Sequence, residues 1–192
     1  MFNNLKIKEM KKIIIATVTL IVTTSFCFAQ KTLNYDGISF DQSGWKSLQT
    51  ARKTTGKDAG TATISGTRNI PYVGIFIIQI TKAKSDDTPL HTYTENLQEE
   101  TVRNVTDAQN NGTSKLKVEP KSTIEDTVIN GIKAKYFDLK YKQGIGSSFQ
   151  RTFCLEKDGY MITIITTSGT WDVNTHNRHF EKILTTFSFN PE

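Results

Sequence analysis

Residues 30–192 predict an α+β fold in a single domain, an antiparallel sheet made of consecutive hairpins with helices packed on it. Three observations carry this expectation. Asp36-Gly37, Asn130-Gly131 and Asp158-Gly159 each stand between short β-like runs, and both members of such a pair tolerate the positive φ of a two-residue hairpin turn. Leu90, Tyr93, Leu97, Thr101, Val105 and Ala108 step by three and four, which places them on one stripe of a helix. Between these features there is no internal repeat, no low-complexity tract and no linker long enough to separate two domains.

The elements follow in order. "LNYDGISF" opens the domain as a hairpin around Asp36-Gly37. "SLQTARKTTGKDAGTATISGTRN" is polar and rich in Thr and Gly, and reads as a loop with a weak strand. "YVGIFIIQITKA", Tyr72 to Ala83, is β-branched and apolar, the pattern of a central buried strand. The long helix comes next. Asp86, Asp87 or Thr88 is expected to cap it, Pro89 suits its first turn, and Asn110-Asn111-Gly112 stops it. "SKLKVEP" and "STIEDTVI" are strands, and Asn130-Gly131 leads into "IKAKYFDLKYK", where adjacent Tyr136 and Phe137 demand a bulge or a strand buried on both sides. "FQRTFCLEK" and "YMITIITTS" form the next hairpin across Asp158-Gly159. A second helix, capped by Asp172 or Asn174, contains His176, Phe180, Ile183 and Leu184, and Phe187 and Phe189 alternate in a closing strand.

Residues 1–29 read as an address. "MFNNLKIKEMKK" is basic, and Ile13 to Ala29 runs without a charge, the form of a secretory signal peptide. Cleavage is expected between Ala29 and Gln30, with the small Cys27 at the −3 position. Threonines dilute the apolar run below what a membrane anchor needs. Thr24 and Phe26 occupy the places where lipidation of Cys27 would want a leucine and a small residue. A start at Met10 would leave the mature protein unchanged. The whole chain is +5 and the leader contributes +3, so the mature chain is near +2. That balance gives no argument for nucleic acid or an anionic membrane. The expected location is the periplasm or the exterior, with no stable membrane span after cleavage.

Little in the mature chain promises chemistry. His176 and His179 lie three apart on a helix, where two imidazoles can share a face. Zinc wants three or four ligands, HEXXH is absent, His91 is remote and Arg178 opposes a cation, so no metal is expected. There is no G-x-S-x-G, and Gly144-Ile145-Gly146 is a lone G-x-G in a hairpin loop, so neither a serine hydrolase nor a nucleotide cradle is indicated. Glu99 and Glu100 point apart on their helix. Cys154 is left alone once the leader is removed, and reads as a small apolar side chain rather than a nucleophile. Trp45 and Trp171 follow Gly-containing turns. Each either folds over its own core or meets a ligand or partner, as do His176 and His179.

The succession "LNYDGISFDQSGW", "INGIKAKYFDLKY", "EKDGYMITIITTS" and "HFEKILTTFSF" resembles the PsbP/DcrB-like superfamily, whose fold is shared with a Ran-binding nuclear import factor. The resemblance implies an α/β/α sandwich, an antiparallel sheet of about six or seven strands with helices on both faces. It implies binding rather than catalysis and transfers no functional residue to a numbered position, so a photosynthetic role is not supported. The expectation is a secreted or periplasmic, non-enzymatic binding or accessory protein, its partner another envelope protein or a small ligand, with no catalytic residue and no cofactor. A small-ligand or metal-binding envelope protein is the alternative, and an envelope hydrolase a third.

Overall fold

The computed structural model of the chain describes residues 32–45, 47–54, 59–71, 74–119, 122–144, 146–169 and 172–190, within the compact unit Thr32–Glu192. The signal peptide with Ala29 and Gln30, and Trp171, lie outside the described residues. In chain order the elements are β1 (Thr32–Tyr35), β2 (Ile38–Asp41), β3 (Gln49–Arg52), β4 (Ala62–Ile70), β5 (Gly74–Lys84), α1 (Leu90–Asn110), β6 (Lys117–Val118), β7 (Glu125–Ile129), β8 (Ile132–Gln143), β9 (Gly146–Lys157), β10 (Tyr160–Ser168), α2 (Val173–Thr186) and β11 (Ser188–Phe189).

The three predicted turns form as the residue pairs dictate. Asp36 and Gly37 take φ values of 51° and 79°, Asn130 and Gly131 44° and 83°, and Asp158 and Gly159 53° and 75°. Positive φ at both central residues matches the twist of the flanking strands. The strands joined by the last two turns belong to an eight-stranded sheet in the order β3-β4-β5-β10-β9-β8-β6, with β7 also on β8. Every pairing is antiparallel. The opening hairpin does not join it: β1, β2 and β11 form a separate three-stranded sheet.

The large sheet has eight strands against the six or seven expected, and the segment read as a loop with one weak strand supplies two of them, β3 and β4. Ala62–Ile70, expected to hold only a weak strand, pairs with β5 along its whole length. Its β-branched threonines and isoleucines suit a half-buried pleat, and outweigh the single Gly66.

Alternation gives the large sheet two working faces. On one, Ile64, Phe76, Ile78, Ile80, Phe153, Leu155, Ile162 and Ile164 pack with Phe180 and Ile183 of α2, with Phe187 at its C-terminal cap, and with Ile38, Phe40 and Phe189 of the small sheet. Each such side chain contributes about 1.5–3 kcal/mol by leaving water. On the other, Phe137, Leu139 and Tyr141 pack against Leu97, Val102 and Val105 of α1 and Leu116, Val118 and Ile124 beside it. Helices on both faces make this an α/β/α sandwich. The Tyr136-Phe137 neighbours are explained by a strand used on both sides, since the β8–β9 register runs unbroken through them.

α1 turns its predicted stripe to the sheet, with Leu97 and Val105 on the β8 cluster, but its most buried positions lie beside that stripe. Its buried residues are Thr94 and Gln98, while Leu90, Tyr93, Leu97, Thr101, Val105 and Ala108 are half-buried. The sheet beneath is polar there: the Tyr93 and Thr163 hydroxyls meet at 2.9 Å, and Gln98 Nε2 donates to the Ser122 carbonyl at 2.9 Å. The expected cap is also displaced. Asp86 accepts from the Thr88 amide (3.2 Å) one turn early, and Pro89 occupies the cap position without a side-chain bond. Beyond α1 the same face of β5 is uncovered, with Ile75 54% and Ile77 43% exposed. Among the described residues no helix is long and apolar enough to cross a membrane.

Candidate functional site

α2 positions both predicted histidines, His176 and His179. Asp172 caps the helix, accepting from the amides of Asn174 (3.2 Å) and Thr175 (3.1 Å). One turn later the helix turns His176 into the core, 1% exposed. Thr166 Oγ1 donates its proton to the Arg151 carbonyl at 3.0 Å. It therefore meets His176 Nε2, 2.9 Å away, as an acceptor. The imidazole proton thus sits on Nε2, and Nδ1 accepts from Ser168 Oγ at 2.8 Å. Burial, aided by the charges of Arg151 and His179, pushes the pKa down to about 3.

Ser168 and His176 have the spacing of a nucleophile and its base, but the surroundings remove that chemistry. Ser168 is 1% exposed, Nε2 faces a threonine rather than an orienting carboxylate, and an imidazole that resists protonation is a poor base. His176 has no lone pair free for a metal either. His179 does not converge on it: its ring lies 4.3 Å from the Phe76 ring. Burial, then Arg68 and Arg178, lowers its pKa. Among the described residues no group of three His, Cys, Asp or Glu could hold a metal ion.

Trp45 joins the core rather than a loop surface. It is 7% exposed and 5.6 Å from Phe180, ring to ring. Gly66 makes room beneath it, since a Cβ there would stand 2.4 Å from Leu48 Cδ2 and 3.5 Å from Trp45 Cε3. Cys154 is fully buried. Burial pushes its thiol pKa up to about 11, only partly offset by hydrogen bonds to Thr94 and Thr163, so it is no thiolate at neutral pH.

The concave feature beside these residues was not legible from them. A groove of about 440 Å³ runs between α2 and β9, lined among others by Arg151, Phe153, Asn174, Asn177, Arg178 and Leu184. Arg151 is its fixed point. Its guanidinium donates to Asp138 through Nε (2.7 Å) and Nη2 (2.8 Å) and to Asn177 Oδ1 through Nη1 (3.1 Å). It also lies 4.5 Å from the centre of the Tyr136 ring, whose hydroxyl bonds Glu125. Burial alone would lower the Arg151 pKa, but the Asp138 carboxylate outweighs it and the net shift is upward. A bidentate, stacked arginine of this kind is rigid. Phe153 and Leu184 add an apolar strip, and Arg178 is exposed on the helix, where its charge also reaches Asp172 and Glu181 lines the same groove. The signal for this site was the hairpin register: pairing Gln143 with Gly146 carries Asp138 opposite Arg151.

No family model matches the chain, and no curated protein matches it. Solved structures do. The cyanobacterial PsbP protein CyanoP of Synechocystis sp. PCC 6803 aligns with a TM-score of 0.56 at 14% identity, over 86% of this chain and 96% of that one. A protein from Bacteroides thetaiotaomicron aligns at 0.50 and 11% over 84% of this chain, which spans about half (49%) of that longer chain. PA94 of Pseudomonas aeruginosa, of unknown function, aligns at 0.47 and 12%, over 84% and 98%. The fold is PsbP-like.

Proposed function

We propose that this chain is a secreted or periplasmic binding or accessory protein without catalytic activity, and that it docks an extended segment of another envelope protein along the α2–β9 groove. The observation that carries this reading is Arg151, held to Asp138 and Asn177 and stacked on Tyr136 at the floor of an open groove. A surface fixed before binding loses little entropy when a partner arrives. It offers amides, an arginine and an apolar strip for recognition, with no activated nucleophile beside them. Arg178 suits an acidic side chain on the partner, next to an apolar one seated on Phe153 and Leu184. The envelope location is supported by the basic, then apolar, leader before Gln30.

Two measurements test it. N-terminal sequencing of the native protein from the envelope fraction should begin at Gln30, and a full-length chain retained in the cytoplasm would remove the envelope assignment. A photo-crosslinking residue placed at Thr185, exposed on the groove wall, should yield one discrete adduct in that fraction, lost on Leu184→Asp. The same probe at Lys115, beyond α1, should yield none. Equal labelling from both positions would sink the groove.

A further inference from the structure

A second concavity lies at the other end of the sheet and is chemically unlike the groove. It has a volume of about 700 Å³ and is lined by the β1–β2 turn, by Arg52, Ala59 and Gly60, and by Lys82, Lys84 and Tyr160. The left-handed turn residue Asp36 (φ 51°) aims both its carbonyl and its carboxylate at Lys82. Lys82 Nζ donates to Asp36 O at 2.7 Å and lies 2.8 Å from Oδ2. Lys82 is 5% exposed, with its ammonium 4.6 Å from the centre of the Tyr160 ring. Arg52 reaches the same carboxylate more loosely, at 3.5 Å, with 57% of its side chain exposed. Lys84, two residues after Lys82, lies on the same face of β5 and forms no ion pair among the described residues.

Among the described lining residues three cations, Arg52, Lys82 and Lys84, stand against the one carboxylate of Asp36, a surplus of about two positive charges. Lys82 is spent on Asp36. Arg52 holds Asp36 only loosely, at 3.5 Å, and Lys84 is exposed, so both can reach an anion in the cleft that Tyr35 and Tyr160 also line. We infer that this cleft binds a small dianion, a phosphate monoester, with Arg52 and Lys84 on the phosphate and an organic part against the tyrosines. The surplus charge sets the dianion, the planar fork of Arg52 suits phosphate oxygens, and a volume well above that of phosphate alone calls for the organic part. The site is independent of the groove and survives its failure.

The test is titration of the folded chain with phenyl phosphate, inorganic phosphate and succinate, followed by amide NMR shifts and calorimetry. Phenyl phosphate should bind with a Kd on the order of 1 mM or tighter, ahead of inorganic phosphate, and move Gly37, Gly60 and Tyr160. Lys84→Gln, a surface change that leaves the Asp36–Lys82 pair intact, should weaken binding about tenfold, and Arg52→Gln likewise. Lys115→Gln, at the far side of the sheet, should have no effect. Shifts spread equally over Lys115, Lys117 and Lys142 would mean unspecific charge attraction and overturn the site. Succinate binding as tightly as phenyl phosphate would overturn the phosphate assignment.

Discussion

His176 donates from Nε2 to Thr166 Oγ1 at 2.9 Å, and that hydroxyl passes its own proton to the carbonyl of Arg151 on the neighbouring strand. One neutral imidazole thus locks α2 onto β10 and β9. The folded pKa, about 3, lies below the ordinary 6.5. An unfolded chain therefore binds a proton in that interval and the folded one does not. Stability is complete above pH 6.5 and falls as pH drops toward 3, by roughly 2 kcal/mol at pH 5 from this residue alone. Urea melts between pH 7 and 5 should follow that slope, and the His176 ring resonances should stay still over the same range. A titration midpoint above pH 5 would contradict the arrangement.

Asp41 adds a second, more acidic step. Hydrogen bonds from Ser43, then the bond and charge of Lys182, hold its carboxyl at about 2 against an ordinary 3.8. The Asp41 amide also donates to Thr186 Oγ1 at 2.9 Å, so the residue ties β2 to the end of α2. A lowered folded pKa gives stability that is present above 3.8 and lost between 3.8 and about 2. Lys182 is 58% exposed, so solvent and salt weaken its share. Asp41→Asn should flatten the melting curve in that window and leave the loss above pH 4 unchanged. An unaltered acid limb in the variant would exclude the tie.

Cys154 reports on α1. Its thiol lies beneath the helix, bonded to Thr94, and the buried contacts there are polar: Thr94, Gln98, Thr152 and Thr163. Such an interface gains less from leaving water than the Phe180–Ile183 side. A thiol reagent should not react with the native protein on mixing, and should react slowly through opening of α1. The opening free energy read from labelling rates should be smaller than that of global unfolding. Equality of the two would show that α1 opens only when everything does.

These two faces mark the limits of sequence reading. The turns were legible because Asp-Gly and Asn-Gly select their own geometry, and α2 because Asp172, Phe180 and Ile183 agree on cap and face. α1 was legible in part: Leu97 and Val105 of the predicted stripe do reach an apolar floor, on β8, whereas the buried Thr94 and Gln98 face a polar patch of β9 and β10 that no helical stripe announces. The small sheet depends on Ser188 pairing with Ser39, and no local signal spans that separation. Arg151 is a similar case, since it becomes a fixed point only when hairpin register sets Asp138 opposite. Trp45 and His176 drew notice by residue type and proved to be core, while the groove beside them is built from residues that type alone does not mark.

The Asp36–Lys82 pair ties the β1–β2 turn to β5 at the polar cleft. Lys82 is nearly buried and Asp36 has 16% of its side chain exposed, so removing one partner strands a charge that solvent reaches only in part. Lys82→Met should cost about 2–4 kcal/mol, below or within the range for breaking a fully buried pair, because Arg52 remains near Asp36. Asp36→Asn should cost less, since the Asp36 carbonyl still accepts from Lys82 and asparagine tolerates the left-handed turn. The double variant should be more stable than the sum of the two losses predicts, because the second change removes the charge that the first left alone. Chemical unfolding of the four proteins measures this coupling. Strict additivity would mean that the turn and β5 are held together by Tyr160 and Phe189 stacking around the Lys82 stem, with the ion pair contributing nothing of its own.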